Sequence, residues 1–217
     1  MELKQRLKCI VAYDGSAFAG YQRQPKDRTV QGEIEQAISR IMKRPVVIHA
    51  SGRTDAGVHA HGQVFHFDSH IVIPAQRWAK AINKLLSPDI YIRNVEEVPI
   101  DDYQFHARFS AREKEYRYRL KTIPPYEYNP CERRYVTFVY HELDLEVMRE
   151  ATKIFIGTHD FRTFAANPAG HDCVRTISKI EINDSKDGLE FIFVGNGFLR
   201  YMVRSIVGTI LEAEDTV

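Results

Sequence analysis

Residues 52–60 read Gly-Arg-Thr-Asp-Ala-Gly-Val-His-Ala and place a carboxylate, Asp55, in the middle of a loop between two glycines. Gly52 and Gly57 let the backbone take positive φ or approach a ligand closely. An acid on so constrained a loop, with Arg53 and Thr54 before it and His59 after it, has the makings of a nucleophile or a general base. The same residues also serve without chemistry, because an Asp in a glycine-rich loop commonly caps a turn or a helix. Residue types and spacing leave both readings open.

Other groups are weaker. His59, His61 and His66 lie close together, but the first two flank a bend, the third falls in a strand, and no cysteine or carboxylate completes a zinc-like set. His171-Asp172-Cys173 suggests a thiol nucleophile, yet Pro168, Gly170 and Arg175 around it read as a loop. Between 108 and 121, Arg108, Arg112, Lys114, Arg117, Arg119 and Lys121 face Glu113 and Glu115, a local basic excess of four in a chain of net charge +1. Arg133-Arg134 and the pair Arg200 and Arg204 add basic spots. Such runs serve as solvated strand and helix faces or as contacts to a polyanion.

Four amphipathic helices and about eight strands must position these groups. Helical periodicity covers 30–44 behind a Thr29 cap, 74–86 opening on Pro74, 145–156 behind Asp144 and ending at Gly157, and 199–212 with the widest apolar face. Strand-like runs cover 7–13, 45–50, 63–68 and 90–98, then 116–121, 135–140, 174–182 and 189–195, the last two joined by a turn at 183–188. The first half thus runs strand, helix, two strands, helix, strand, a split βαβ order found in RNA-binding domains. The second half is a looser version, and the boundary is expected within 100–106. The 217 residues suffice for one large or two small domains. No apolar run approaches the ~20 residues of a membrane span, and no apolar leader follows Met1. Cys9, Cys131 and Cys173 are dispersed and odd in number. A cytoplasmic location is expected.

The nonapeptide resembles the signature of the TruA family of tRNA pseudouridine synthases. Residues 13–24 (Tyr-Asp-Gly-Ser-Ala-Phe-Ala-Gly-Tyr-Gln-Arg-Gln) are similar to that family's first block, 105–109 (Phe-His-Ala-Arg-Phe) and Tyr116-Arg-Tyr to its middle block, and 157–164 and 202–208 to two later ones. The blocks run in order across nearly the whole chain. The resemblance implies an α/β (α+β) fold of two similar subdomains, with mixed, mainly antiparallel sheets flanked by helices and a central cleft. Subdomains of 1–105, carrying the Asp loop, and 106–217 are expected, in agreement with it.

It also implies an isomerase that converts uridine to pseudouridine at positions 38, 39 and 40 of the tRNA anticodon stem-loop, as a homodimer, with no cofactor and no metal. By the same resemblance Asp55 is the nucleophile and Arg204 the cation that keeps it ionised. Tyr116 stacks on the target uracil and takes the C5 proton, and Arg53 assists base flipping. Arg23, Arg108 and Arg112 are candidate contacts to the RNA backbone. Against these stand plainer readings: periodicity alone puts Tyr116 on the core face of a strand, and Arg204 suits a helix surface. Family members usually continue past the final helix with another helix and a strand, so the second subdomain is expected to lack both. Two rivals use the same residues: a non-catalytic RNA-binding protein, which needs no carboxylate, and a base-removing glycosidase, which would release uracil.

Overall fold

A computed structural model describes residues 3–100, 105–124, 127–170, 172–186 and 188–214. His171, Asp187 of the expected turn and 101–104 of the expected boundary lie outside the described residues. The chain divides into two compact units, Met1–Ala111 and Arg112–Val217.

The first unit runs β1 (Gln5–Tyr13), α1 (Val30–Met42), β2 (His49–Ala50), β3 (Ala60–Ser69), α2 (Ala75–Asn83) and β4 (Ile90–Val98). Its sheet has the order β2-β3-β1-β4 with antiparallel neighbours throughout. Strand alternation sends Leu7, Cys9 and Val11 of β1 and Phe65 and Phe67 of β3 to one face. There they pack with Ile34 and Ile38 of α1 and Trp78 and Ile82 of α2 in one buried cluster. Thr29 caps α1, its hydroxyl accepting from the Gly32 N–H at 3.3 Å. The strand expected over 45–50 contracts to β2. The Val46 N–H donates instead to Ser39 Oγ (3.0 Å) and the Ile48 N–H to Glu35 Oε1 (3.1 Å), so side chains of α1 take the donors a strand would have paired. Residues 105–111 belong with this unit: Arg6 Nη1 donates to the Phe105 carbonyl, and the Ala107 N–H donates to His66 Nδ1, both at 3.1 Å.

The second unit runs β5 (Lys114–Thr122), β6 (Thr137–Val139), α3 (Leu145–Lys153), β7 (Gly157–Asp160), β8 (Val174–Ser185), β9 (Gly188–Gly195) and α4 (Met202–Glu214). Its sheet order is β6-β5-β9-β8-β7, with β5 and β6 parallel and the other pairs antiparallel. Phe191 and Phe193 of β9 pack with Met148 of α3 and Met202, Ile206 and Ile210 of α4. The α3 cap is the expected one, Asp144 Oδ1 accepting from the Glu146 and Val147 N–H groups. The strand expected over 135–140 contracts to β6, α3 ends at Lys153 rather than 156, and two further elements depart from the sequence pattern. β7 forms where no strand was expected, and α4 starts at Met202 rather than 199 because Tyr201 takes φ +65°, outside the helical region. Both units are mixed α/β with sheets flanked by helices, as expected. Among the described residues, no helix is long and apolar enough to cross a membrane. Cys9 and Cys173 are buried and Cys131 is exposed.

Candidate active site

The Asp55 loop is built by two segments of the first unit that are far apart in sequence. Residues 14–29 form a strap that leaves β1 and returns at α1, and it lies against 54–58. At Gly15 a Cβ would stand 2.0 Å from the Val58 carbonyl oxygen, and at Gly20, with φ +107°, it would stand 3.1 Å from the Thr54 carbonyl oxygen. No residue but glycine fits either contact without displacing backbone. The Tyr21 N–H donates to the Thr54 carbonyl at 3.0 Å. The Tyr13 and Thr54 hydroxyls are 2.9 Å apart. On the far side Ser51 Oγ donates to Gln63 Oε1 (2.7 Å) and Gln63 Nε2 to the Gly52 carbonyl (2.8 Å). Asp55 opens a turn whose Val58 N–H donates to the Asp55 carbonyl at 3.2 Å, with Gly57 at φ +78°. Asp55 is thus half-buried on a loop held from both sides, the rigid mounting a reacting group requires.

His59 closes this loop. Its Nδ1 lies 3.1 Å from the Gly15 N–H and 3.1 Å from Asp14 Oδ1. An amide can only donate, so the Gly15 bond needs a bare Nδ1. The outer end of the strap is anchored by Arg28, which reaches Glu33 (2.6 Å), Ser87 (3.0 Å) and Asp89 (2.9 Å) and lies 4.2 Å from the centroid of the Phe18 ring.

Arg53, beside Asp55, is exposed, as are Arg23 and Arg108 in the same unit. Arg108 lies 5.9 Å from the ring centroid of Phe109, an exposed aromatic. Tyr116, Arg204 and Arg112 belong to the second unit. Tyr116 is half-buried on β5, its ring 4.8 Å from that of Phe198 and inclined at 64°. It is therefore neither a core residue nor a free surface ring. Arg204 is exposed at the start of α4, and Arg200 and Arg204 lie 4.9 and 5.1 Å from the Tyr201 ring centroid. The basic run on β5 is largely matched: Arg117 pairs with Glu115 and Glu190, Arg119 with Glu190, and Lys121 with Glu132.

His66 is buried beside His49 and His106, ring centroids 5.1 and 4.6 Å away. Burial, with His106, Arg6 and His49 adding like charge, pushes His66 down to about 4. Arg6 and Asp68 form a two-pronged pair at 2.7 and 2.8 Å. The hydrogen bond to Arg6 holds the Asp68 carboxyl below its ordinary value. Among the described residues, no group of three His, Cys, Asp or Glu side chains is arranged to hold a metal ion. Sequence reasoning gave no role to Tyr13, Gly15, Gly20 or Arg28. All but Arg28 lie in the 13–24 block, but their partnership with 54–59 is visible only once β1 and β3 pair.

A family profile described as tRNA pseudouridine synthase matches residues 9–110 and 151–216, which include Asp55 and its strap. A protein of Geobacillus kaustophilus named tRNA pseudouridine synthase A is 49% identical over 212 residues, covering 97% of this chain and 80% of the relative. Proteins of the same name from Bacillus subtilis (49% identical over 215 residues, 96% of this chain and 83% of the relative) and an Exiguobacterium strain (47% over 209 residues, 96% and 82%) are similar to this chain over a comparable span. The chain belongs to the tRNA pseudouridine synthase family.

Proposed function

We propose that this protein isomerises uridine to pseudouridine at positions 38, 39 and 40 of the tRNA anticodon stem-loop. The observation that carries the reading is the Asp55 loop, a family signature whose carboxylate is half-buried on a backbone pinned by Tyr13, Gly15, Gly20 and Tyr21. In the reaction the N1–C1′ bond breaks, the uracil turns, and C5 bonds to C1′. The C5 proton leaves and N1 gains one, so there is no net redox change. Asp55 is the nucleophile. Tyr116 stacks on the uracil and accepts the C5 proton, directly or through water. Arg204 keeps the carboxylate ionised. Arg53 supports the flipped nucleotide, since extrusion from a stem costs a few kcal/mol. Arg23, Arg108 and Arg112 contact backbone phosphates. The N-terminal subdomain carries the Asp loop and the C-terminal one supplies Tyr116 and Arg204. The enzyme works in the cytoplasm as a homodimer.

Tritium release from tRNA labelled at uracil C5 tests this, with Asp55→Ala beside the wild type. Release by the wild type alone, with pseudouridine in the digested tRNA, is expected. Free uracil in place of pseudouridine would make the protein a glycosidase, and tRNA binding without release would make it a binding protein.

A further inference from the structure

Arg23 is a surface arginine held by a buried carboxylate. Its side chain is 63% exposed and that of Glu35 only 5%, with Nη1 and Oε2 3.1 Å apart. Glu35 points inward from α1, where its Oε1 accepts from the Ile48 N–H at 3.1 Å and from Gln31 Nε2 at 2.8 Å. Gln31 in turn accepts the Arg23 main-chain N–H at Oε1 (3.1 Å), and its own N–H donates to the Tyr21 carbonyl (2.9 Å). Residue 23 is therefore fixed at both ends, the main chain by Gln31 and the guanidinium by Glu35. Among the described residues, Glu35 Oε2 has no aligned hydrogen bond. Its contact with Arg23 is one of charge, which leaves the fork of N–H donors to address a ligand.

The bonds at Oε1 serve the fold, where Glu35 takes the Ile48 N–H, but they do not explain the second oxygen and its charge facing Arg23. Taking a carboxylate out of water costs several kcal/mol, and a buried ion is often replaced by an apolar residue without loss. A partner mostly in solvent returns little. What Glu35 supplies is a guanidinium at a set position, two residues from Tyr21, whose N–H holds the Thr54 carbonyl beside Asp55. We infer that Glu35 is a positioning residue for RNA binding: it presets Arg23 to take a backbone phosphate next to the nucleotide presented to Asp55. The planar fork of arginine suits a phosphate bidentately. This rests on the reading of the substrate as tRNA.

The test is a double-mutant cycle on tRNA affinity and kinetics with Arg23→Ala, Glu35→Gln and the two combined. Arg23→Ala is expected to weaken tRNA binding roughly tenfold and to lower the salt slope of log Kd by about one. Glu35→Gln should lose a similar factor, mainly in KM, with kcat at saturating tRNA falling less. The combined variant should be no worse than Arg23→Ala. A Glu35→Gln loss that persists in full in the Arg23→Ala background would overturn the inference, because Glu35 would then act through the fold. If Glu35→Gln does not fold, Gln31→Ala, at a half-buried position, removes the other clamp and must show the same dependence on Arg23. Arg23→Lys should recover only part of the affinity, and full recovery would dismiss the preset fork. A wild type that binds no tRNA would sink the substrate reading itself. Binding that is indifferent to Arg23 would sink only this inference.

Discussion

The Gly15 Cα and the Val58 carbonyl are in backbone contact: a methyl group on Gly15 would meet the Val58 oxygen at 2.0 Å. Gly15→Ala must therefore displace either the strap or the Asp55 loop. Overpacking of this kind costs about 1–3 kcal/mol, and a shift of either segment strains the mounting of the Asp55 loop. A lower urea midpoint together with a large drop in kcat is expected. Wild-type kcat in a destabilised Gly15→Ala protein would show that the loop tolerates displacement.

The hydroxyl pair of Tyr13 and Thr54 offers a finer probe. Tyr13→Phe removes one buried partner while keeping the ring, and about 1 kcal/mol of stability should go with it. Thr54→Val removes the other. Because the two act through one bond, the combined variant should cost less than the sum of the single ones. Strict additivity in denaturant unfolding would show that the 2.9 Å contact contributes nothing.

Tyr116 divides the proposed roles. Tyr116→Phe keeps the ring against Phe198 and removes the oxygen. With Tyr116 as proton acceptor, kcat falls about 100-fold while tRNA affinity stays near wild type. A Phe variant with normal kcat and an impaired Ala variant would leave Tyr116 with stacking alone.

His66 makes stability depend on pH. Above about 6.5 it is neutral in the folded and unfolded chain alike. As pH falls from about 6.5 to about 4, the unfolded chain takes up a proton that the folded chain refuses, so stability drops across that window and levels off below it. His106, lowered chiefly by burial and then by His49, acts in the same direction. Asp68 opposes the effect on His66 but is paired with Arg6. Urea midpoints at pH 7 and pH 5 should differ in the wild type, and the gap should narrow in His66→Gln. An unchanged gap would place the titration elsewhere.

Local rules carried much of the fold. Thr29 and Asp144 cap their helices as side-chain chemistry dictates, and the strand-like run at 116–121 falls within β5. Failures arose where distant partners overrode local pattern. The run at 45–50 looks like a strand, but Ser39 and Glu35 take its amide donors. The apolar periodicity through Leu199 suggests a longer α4, but Tyr201 leaves the helical region. In the candidate site the Asp55 signature was legible and its support was not. Nothing local in 13–24 says that Gly15 and Gly20 touch 54–58, or that the exposed Arg23 leans on a carboxylate twelve residues later, packed inside α1.

The unequal burial of the cysteines supplies a spectroscopic handle. Cys9 is sealed in the core, and burial pushes its thiol far up, so little thiolate forms near neutrality. Cys173 is buried as well, while Cys131 lies open in the second unit. A maleimide dye should therefore attach at Cys131 without any prior mutagenesis. The label sits in the unit that does not carry the Asp55 loop, and a change in its fluorescence on adding tRNA would report binding in real time.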